Sequence, residues 1–313
     1  MARATAPDRS SSAVEPPTPR RRPLLAALFV ALRPQQCVSK NALVFGALAF
    51  ARRLTDPQAV LEATIAFVLF CAASGAVYLI NDIMDVEQDR LHPRKRFRPI
   101  AASELPVPFA WATVAVLLIA TLIVAVVLRP TLAAIIAIYV AVQVAYSLGL
   151  KHQVILDVFI IAAGFVLRAV AGAVAIAVPI SPWLYVLIGL GALFLGFGKR
   201  RAEIVLLNET AGQHRRVLAE YSASLLEELI AIVTATTVMA YSLYTFSAEN
   251  LPKNHGMMAT IPFVMYGLFR YLYLVYRKDE GGSPDQLLFT DRPLLICIVL
   301  WALTAVAILY VPW

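Results

Sequence analysis

Continuous apolar runs of about 20 residues, separated by short polar connections, occupy the chain from Pro34 onward, and they leave few folds open. A run of that length spans a bilayer as a helix. A membrane barrel would instead show shorter segments of alternating polarity. The runs lie at about Pro34 to Ala51, Gln58 to Asn81, Val107 to Leu128, Leu132 to Leu150, Val154 to Val178, Trp183 to Phe197, Leu226 to Phe246, Met258 to Tyr276 and Pro293 to Val311. The expectation is therefore an all-α polytopic membrane protein of nine transmembrane helices. Composition agrees, since 60% of the 313 residues are apolar and only 15% are charged. Leu24 to Leu32 is too short to span and is expected at the interface, with Pro34 starting the first span.

Charge placement fixes the expected orientation. Residues 1–22, rich in Pro, Ser, Thr and Arg, read as a disordered cytoplasmic tail, followed by a single transmembrane domain over residues 23–313. No cleavage site follows the Arg20-Arg21-Arg22 run, so no signal peptide is expected. With the amino terminus inside, the basic loops around Arg90 to Arg98, Lys151, Lys199 to Arg216 and Arg277 to Arg292 share one side. Only Arg52, Arg53, Arg129 and Lys253 fall on the other. A net charge of +7 distributed this way describes membrane topology rather than a nucleic-acid surface, so no nucleic-acid partner is expected. Cys37, Cys71 and Cys297 lie apart in apolar context and make neither a disulfide framework nor a metal spacing.

The stretch from Asn81 to Pro99 carries the densest polar chemistry. Asn81, Asp85 and Asp89 fall at i, i+4, i+8 on a helix, and Asp82 joins Asp85 and Asp89 at i, i+3, i+7, so one face holds the whole oxygen set. Carboxylates this close repel unless a cation sits between them, and hard oxygen ligands at a membrane boundary suit magnesium bridged to phosphates. A merely solvated helix end is the bland alternative.

Other polar residues gather on the same side: Tyr146, Lys151, His152 and Asp157 around the turn between the fourth and fifth spans, and Gly198 to Glu203 at the end of the sixth. Lys40 and Asn41 sit inside the first span, where Lys40 either snorkels or points into a polar cavity. Arg168 lies deeper in the fifth span and needs an anion, either Asp157 or a substrate phosphate. Lys199 and Arg200 either anchor a helix at the headgroups or hold phosphate, and Glu203 at i+4 can pair with Lys199. The lone His92 and His152 argue against zinc. With no glycine-rich phosphate loop and no nucleophile triad, chemistry here must rest on a metal, on cationic clamps and on reactive substrates.

Asn81-Asp82-x-x-Asp85-x-x-x-Asp89 closing the second span, nine helices, and Arg33-Pro34 leading to Lys40-Asn41 resemble the UbiA-type superfamily of intramembrane prenyltransferases. The resemblance covers nearly the whole chain from Leu32 and implies a helical bundle around a cytoplasm-facing polar cavity. Aromatic-prenylating members carry a second aspartate-rich motif after the sixth span, where this chain has Lys199-Arg200-Arg201-Ala202-Glu203. In that, and in Arg96-Phe97-Arg98-Pro99, Gly149-Leu150-Lys151-His152-Gln153, Arg168-Ala169-x-Ala171-Gly172 and Asp291-Arg292, it is similar to the decaprenyl-phosphate phosphoribosyltransferase branch of actinobacterial cell-wall synthesis. That resemblance implies a plasma-membrane enzyme moving 5-phosphoribose from 5-phosphoribosyl 1-pyrophosphate to decaprenyl phosphate, an arabinan precursor step. It implies Mg2+ on Asp85 and Asp89, with Asn81 and Asp82 beside them. Lys40, Lys95, Arg98, Lys151, Arg168, Lys199 and Arg200 are the candidate phosphate-holding cations, and Asn41, Tyr146 and Glu203 complete the substrate-binding set. A homo-oligomer is favoured by the resemblance alone. The alternatives are a prenyl-pyrophosphate transferase acting on an aromatic or lipid, and a transporter.

Overall fold

The computed structural model describes residues 22–93, 95–179, 181–207, 216–249, 251–278, 287 and 290–310. The tail expected over residues 1–22 lies outside them, Arg22 excepted. Every regular element among the described residues is helical: α1 (Leu24–Leu32), α2 (Pro34–Asn41), α3 (Gly46–Phe50), α4 (Pro57–Met84), α5 (Val86–Leu91), α6 (Val107–Leu128), α7 (Pro130–Leu148), α8 (Leu156–Ala175), α9 (Pro182–Leu207), α10 (Ala223–Ser247), α11 (Ile261–Arg277) and α12 (Arg292–Tyr310). Eight of these are long and apolar enough to cross a membrane once the 3-10 turn Gly256–Thr260 is counted with α11. The molecule is a multi-pass membrane protein.

The first expected span, Pro34 to Ala51, is broken rather than continuous. Arg33 turns into the left-handed region at φ 52°, Pro34 starts α2 at its first position, and a 3-10 turn over Ala42–Phe45 separates α2 from α3. Irregular backbone is tolerated at membrane depth only where protein covers it. Here α4 and α8 do so. Asn41 and Val44 are both fully enclosed, and the Val44 carbonyl lies so close to Gly172 of α8 that any side chain at that position would overlap it.

α4 is the hub. In its most apolar stretch 61% of residues are enclosed by protein, against 17% in α6, whose Val116, Ile119, Ile123 and Val127 face outward as lipid contacts. α4 packs on α2, α6, α7 and α8, while α8 passes the contact to α9, α9 to α10, α10 to α11 and α11 to α12. The ring closes where Tyr310 of α12 donates to the Ala49 carbonyl of α3 at 3.2 Å. Phe70, Ala73, Val77, Leu132, Ile136 and Tyr139 fill one half of the core. Phe197, Leu226, Ile230, Tyr271 and Leu294 fill the other.

Gly172→Ala is expected to destabilise the protein by about 1–3 kcal/mol through overpacking against backbone that cannot yield. Gly46→Ala, where a methyl meets nothing within 4 Å, should be neutral or slightly stabilising. Thermal unfolding of the two variants in detergent checks the pair, and equal midpoints would remove the close-approach account.

Candidate active site

α4 ends at Met84, yet its register carries through the break. Asp85 N–H donates to the Asn81 carbonyl at 3.0 Å, and Asp89 N–H donates to the Asp85 carbonyl at 2.8 Å. Asn81, Asp85 and Asp89 therefore keep their i, i+4, i+8 backbone spacing even though α4 and α5 are separate helices. Each member meets a partner from another element. Arg33 donates to Asp82 Oδ1 at 2.5 Å, and Arg98 donates to the same oxygen at 3.1 Å and to Asp89 Oδ2 at 2.6 Å. Lys151 reaches Asp85 Oδ1 at 2.7 Å. Ser147 of α7 hydrogen-bonds the Asn81 side-chain oxygen and returns a bond to its own helix at the Gln143 carbonyl, 2.8 Å away.

Asp82 is 2% exposed, and its second oxygen, Oδ2, is buried without a hydrogen-bond partner. An orphaned carboxylate oxygen in that position is a reason to expect a further cation. Among the described residues no three acidic, histidine or cysteine side chains converge on one point as a closed cage. Magnesium does not require one, because it keeps several waters and takes only one or two carboxylates beside substrate phosphates. The donor set of Asp82, Asp85, Asp89 and Asn81 fits such an open site.

Two of the cations at Lys199 to Arg201, Arg200 and Arg201, pair with carboxylates other than those of α4 and α5. Arg200 is buried and committed elsewhere: Nε donates to Asp157 Oδ2 at 2.8 Å and Nη1 to Glu203 Oε2 at 2.8 Å. Arg201 is tied to Glu227 at 2.8 Å and lies over the Tyr276 ring. Glu203 pairs with Arg200 at i+3, and Lys199 and Lys95 are exposed. Nor does Asp157 neutralise Arg168. Asp157 belongs to Arg200 and to Tyr221, whose hydroxyl donates to Oδ1 at 2.8 Å, while Arg168 lies deeper, on Asn41 and Tyr139. Tyr146 is partly buried near the end of α7.

Arg33 is the participant that the residue pattern alone does not single out. It precedes a proline in a basic lead-in, and its partner is 49 positions away. Tyr221 is the second. Its hydroxyl accepts the Ile155 N–H at 2.6 Å, where Ile155 adopts φ 67°, an unfavourable conformation for a β-branched residue. Tyr221 thereby pins the turn that presents Lys151.

Burial and the hydrogen bond to Asp157 push the Tyr221 phenol above its ordinary value. The protonated phenol stabilises the fold fully below the unfolded value of about 10, and this contribution is lost as pH rises through the folded value. Tyr221→Phe should cost about 1–3 kcal/mol near neutral pH and flatten the alkaline limb of a stability-against-pH curve. Arg200→Ala, which strands a buried Asp157, should cost about 3–5 kcal/mol in the same unfolding measurement. A stability unchanged by Arg200→Ala would show that the pair is not structural.

Residues 42–291 match the UbiA prenyltransferase family. The chain is 37% identical over 298 residues to the decaprenyl-phosphate phosphoribosyltransferase of Mycolicibacterium smegmatis, covering 92% of this chain and 93% of that one. It is likewise 37% identical over 296 residues to the enzyme of the same name from Corynebacterium glutamicum, covering 92% and 88%. Among solved structures, a UbiA homologue from Archaeoglobus fulgidus bound to GPP and Mg2+ superposes with a TM-score of 0.70 at 19% identity, over 91% of this chain and 100% of that chain. A bundle of membrane helices with an oxygen set at the end of α4 thus has relatives in sequence and in fold, and the chain belongs to the UbiA prenyltransferase family.

Proposed function

We propose that this chain transfers 5-phosphoribose from 5-phosphoribosyl 1-pyrophosphate to a polyprenyl phosphate, decaprenyl phosphate foremost, releasing pyrophosphate. The reaction takes place at the cytoplasmic face of the plasma membrane, and residues 23–313 form the catalytic domain. The names carried by relatives 37% identical over 92% of the chain support the reaction. The observation that carries it is the ion network at the end of α4, where three cations from three other elements converge on Asp82, Asp85 and Asp89.

Asp82, Asp85 and Asp89, with Asn81 beside them, would hold magnesium, which supplies charge neutralisation for a leaving pyrophosphate. Arg33, Arg98 and Lys151, which pair with these carboxylates, are the cations placed to donate to the donor's phosphate oxygens. In the transfer, the bond between the anomeric carbon and the pyrophosphate oxygen breaks, and a phosphate oxygen of the lipid forms the new bond to that carbon. The attacking oxygen is already anionic, so no strong general base is required. Developing positive charge on the ribose lies beside carboxylates that stabilise it. Outward-facing apolar helices leave the polyprenyl tail in lipid while the ribosyl donor arrives from water, so the site acts largely by bringing together two substrates that do not otherwise meet.

Membranes containing the protein should convert radiolabelled donor and decaprenyl phosphate to a lipid-soluble phosphoribose only with magnesium present. Asp85→Ala should lower turnover by at least 100-fold, a loss of about 2.7 kcal/mol of transition-state stabilisation at 1.36 kcal/mol per decade. Full transfer in excess chelator would refute the metal assignment. Product formed instead from a prenyl pyrophosphate and an aromatic acid would refute the phosphoribosyl reading.

A further inference from the structure

Arg168 carries a permanent charge about three turns into α8, is 6% exposed, and among the described residues has no carboxylate within ion-pair distance. Its hydrogen bonds go to neutral groups: Nε to Asn41 Oδ1 at 2.6 Å and Nη2 to the Tyr139 hydroxyl at 2.9 Å. Ring faces of Tyr139 and Phe165 lie 4.9 and 5.3 Å away. Such dipoles orient and partly solvate a guanidinium, but they leave its charge uncancelled. The cradle is also rigid. Asn41 Nδ2 donates to Ser74 Oγ at 3.2 Å, and Ser74 and Tyr139 hydroxyls hydrogen-bond at 3.1 Å, closing a loop of contacts between α2, α4, α7 and α8.

This buried cation lies in line with the acidic end of α4. Asp82, Tyr78 and Ser74 succeed one another at four-residue steps on one helix face, over roughly 12 Å of axis. Arg33 binds Asp82 and stacks on the Tyr78 ring at 4.9 Å, and Lys40 donates to the Tyr78 hydroxyl at 3.2 Å. Arg168 and Asn41 attach at Ser74. Cationic groups therefore step inward from the carboxylates, and the innermost is surrounded only by neutral partners.

Resting on the phosphoribosyl reading above, the geometry points to a division of labour between the donor's two anionic ends. The pyrophosphate lies at the carboxylate end, and Arg168, with Asn41 orienting it and Lys40 nearby, receives the 5-phosphate. The ribose spans the interval beside Tyr78. A phosphate is held at this depth because the guanidinium awaits an anion, whereas an isoprenoid tail in the same place would bury that charge against hydrocarbon. Arg168 is then a determinant of phosphoribosyl over prenyl donors. The lipid phosphate, tethered to a tail in the bilayer, stays at headgroup depth.

The test uses the purified protein in detergent with magnesium and two donors, 5-phosphoribosyl 1-pyrophosphate and ribosyl 1-pyrophosphate lacking the 5-phosphate. Wild type should prefer the phosphorylated donor on the order of 100-fold in kcat/KM, a factor typical of charge-assisted hydrogen bonds to phosphate. Arg168→Gln should reduce that preference to a few-fold with KM for decaprenyl phosphate unchanged, and Arg168→Lys should restore part of it. Without lipid, the phosphorylated donor should raise the wild-type unfolding midpoint more than the dephosphorylated one, and Arg168→Gln should remove the difference. If Arg168→Gln fails to fold, Tyr139→Phe, which keeps the charge but loses one anchor, should reduce the same preference. Equal loss on both donors would make Arg168 structural and overturn the inference. A rise in KM for the lipid with donor preference intact would assign Arg168 to the lipid phosphate and overturn it equally. No transfer by wild type from either donor would instead refute the phosphoribosyl reading, and donor-selective thermal stabilisation would still report on Arg168.

Discussion

Asp82, held between Arg33 and Arg98 while one of its oxygens has no partner, is the interaction on which the rest depends. A carboxylate 2% exposed at the end of a membrane helix is stable only if cations come to it. Arg33 therefore fixes the junction of α1 and α2. Arg98 fixes the loop after α5 and binds Asp89 as well, and Lys151 brings the turn between α7 and α8 onto Asp85. Three separate segments are located against the end of α4 by one cluster of charge. Breaking any one pair leaves a charge that neither lipid nor neighbouring apolar groups can solvate.

Two buried arginines illustrate how burial alone does not set a residue's role. Arg200 is enclosed with two carboxylates and a tyrosine that donates to one of them, so its charge is cancelled in place and its work is structural. Arg168 is enclosed with an amide, a phenol and two ring faces, so its charge is oriented without being cancelled. The difference lies in the partners, and partners belong to the fold.

That explains how much of the molecule was readable from its residues. The run from Val107 to Leu128 coincides with α6, and the other long spans are displaced by only a few residues, except that α9 continues beyond its apolar part through Lys199 and Glu203. Apolar run length reports membrane crossing well, since lipid thickness sets it. It does not report helix continuity, so the break over Ala42–Phe45 was invisible: the cause is contact with Gly172, remote in sequence. The alignment of Asn81, Asp82, Asp85 and Asp89 followed from helical period alone. Their counterions did not, because Arg33 and Lys151 reach them across 49 and 66 residues, and nothing local distinguishes those cations from Lys199 or Arg200.

The broken first span also has a consequence for biogenesis. Asn41 is satisfied by Ser74 and Arg168, 33 and 127 residues further along. At a synthesis rate of 5–20 residues per second, Asn41 emerges roughly 6 to 25 s before Arg168 exists. Until then the segment from Pro34 to Phe50 has neither a continuous helix nor its final polar contacts, and settles only after α4 and α8 are in the bilayer. The part of the chain made before the long spans therefore completes its polar contacts only once α8 has been made.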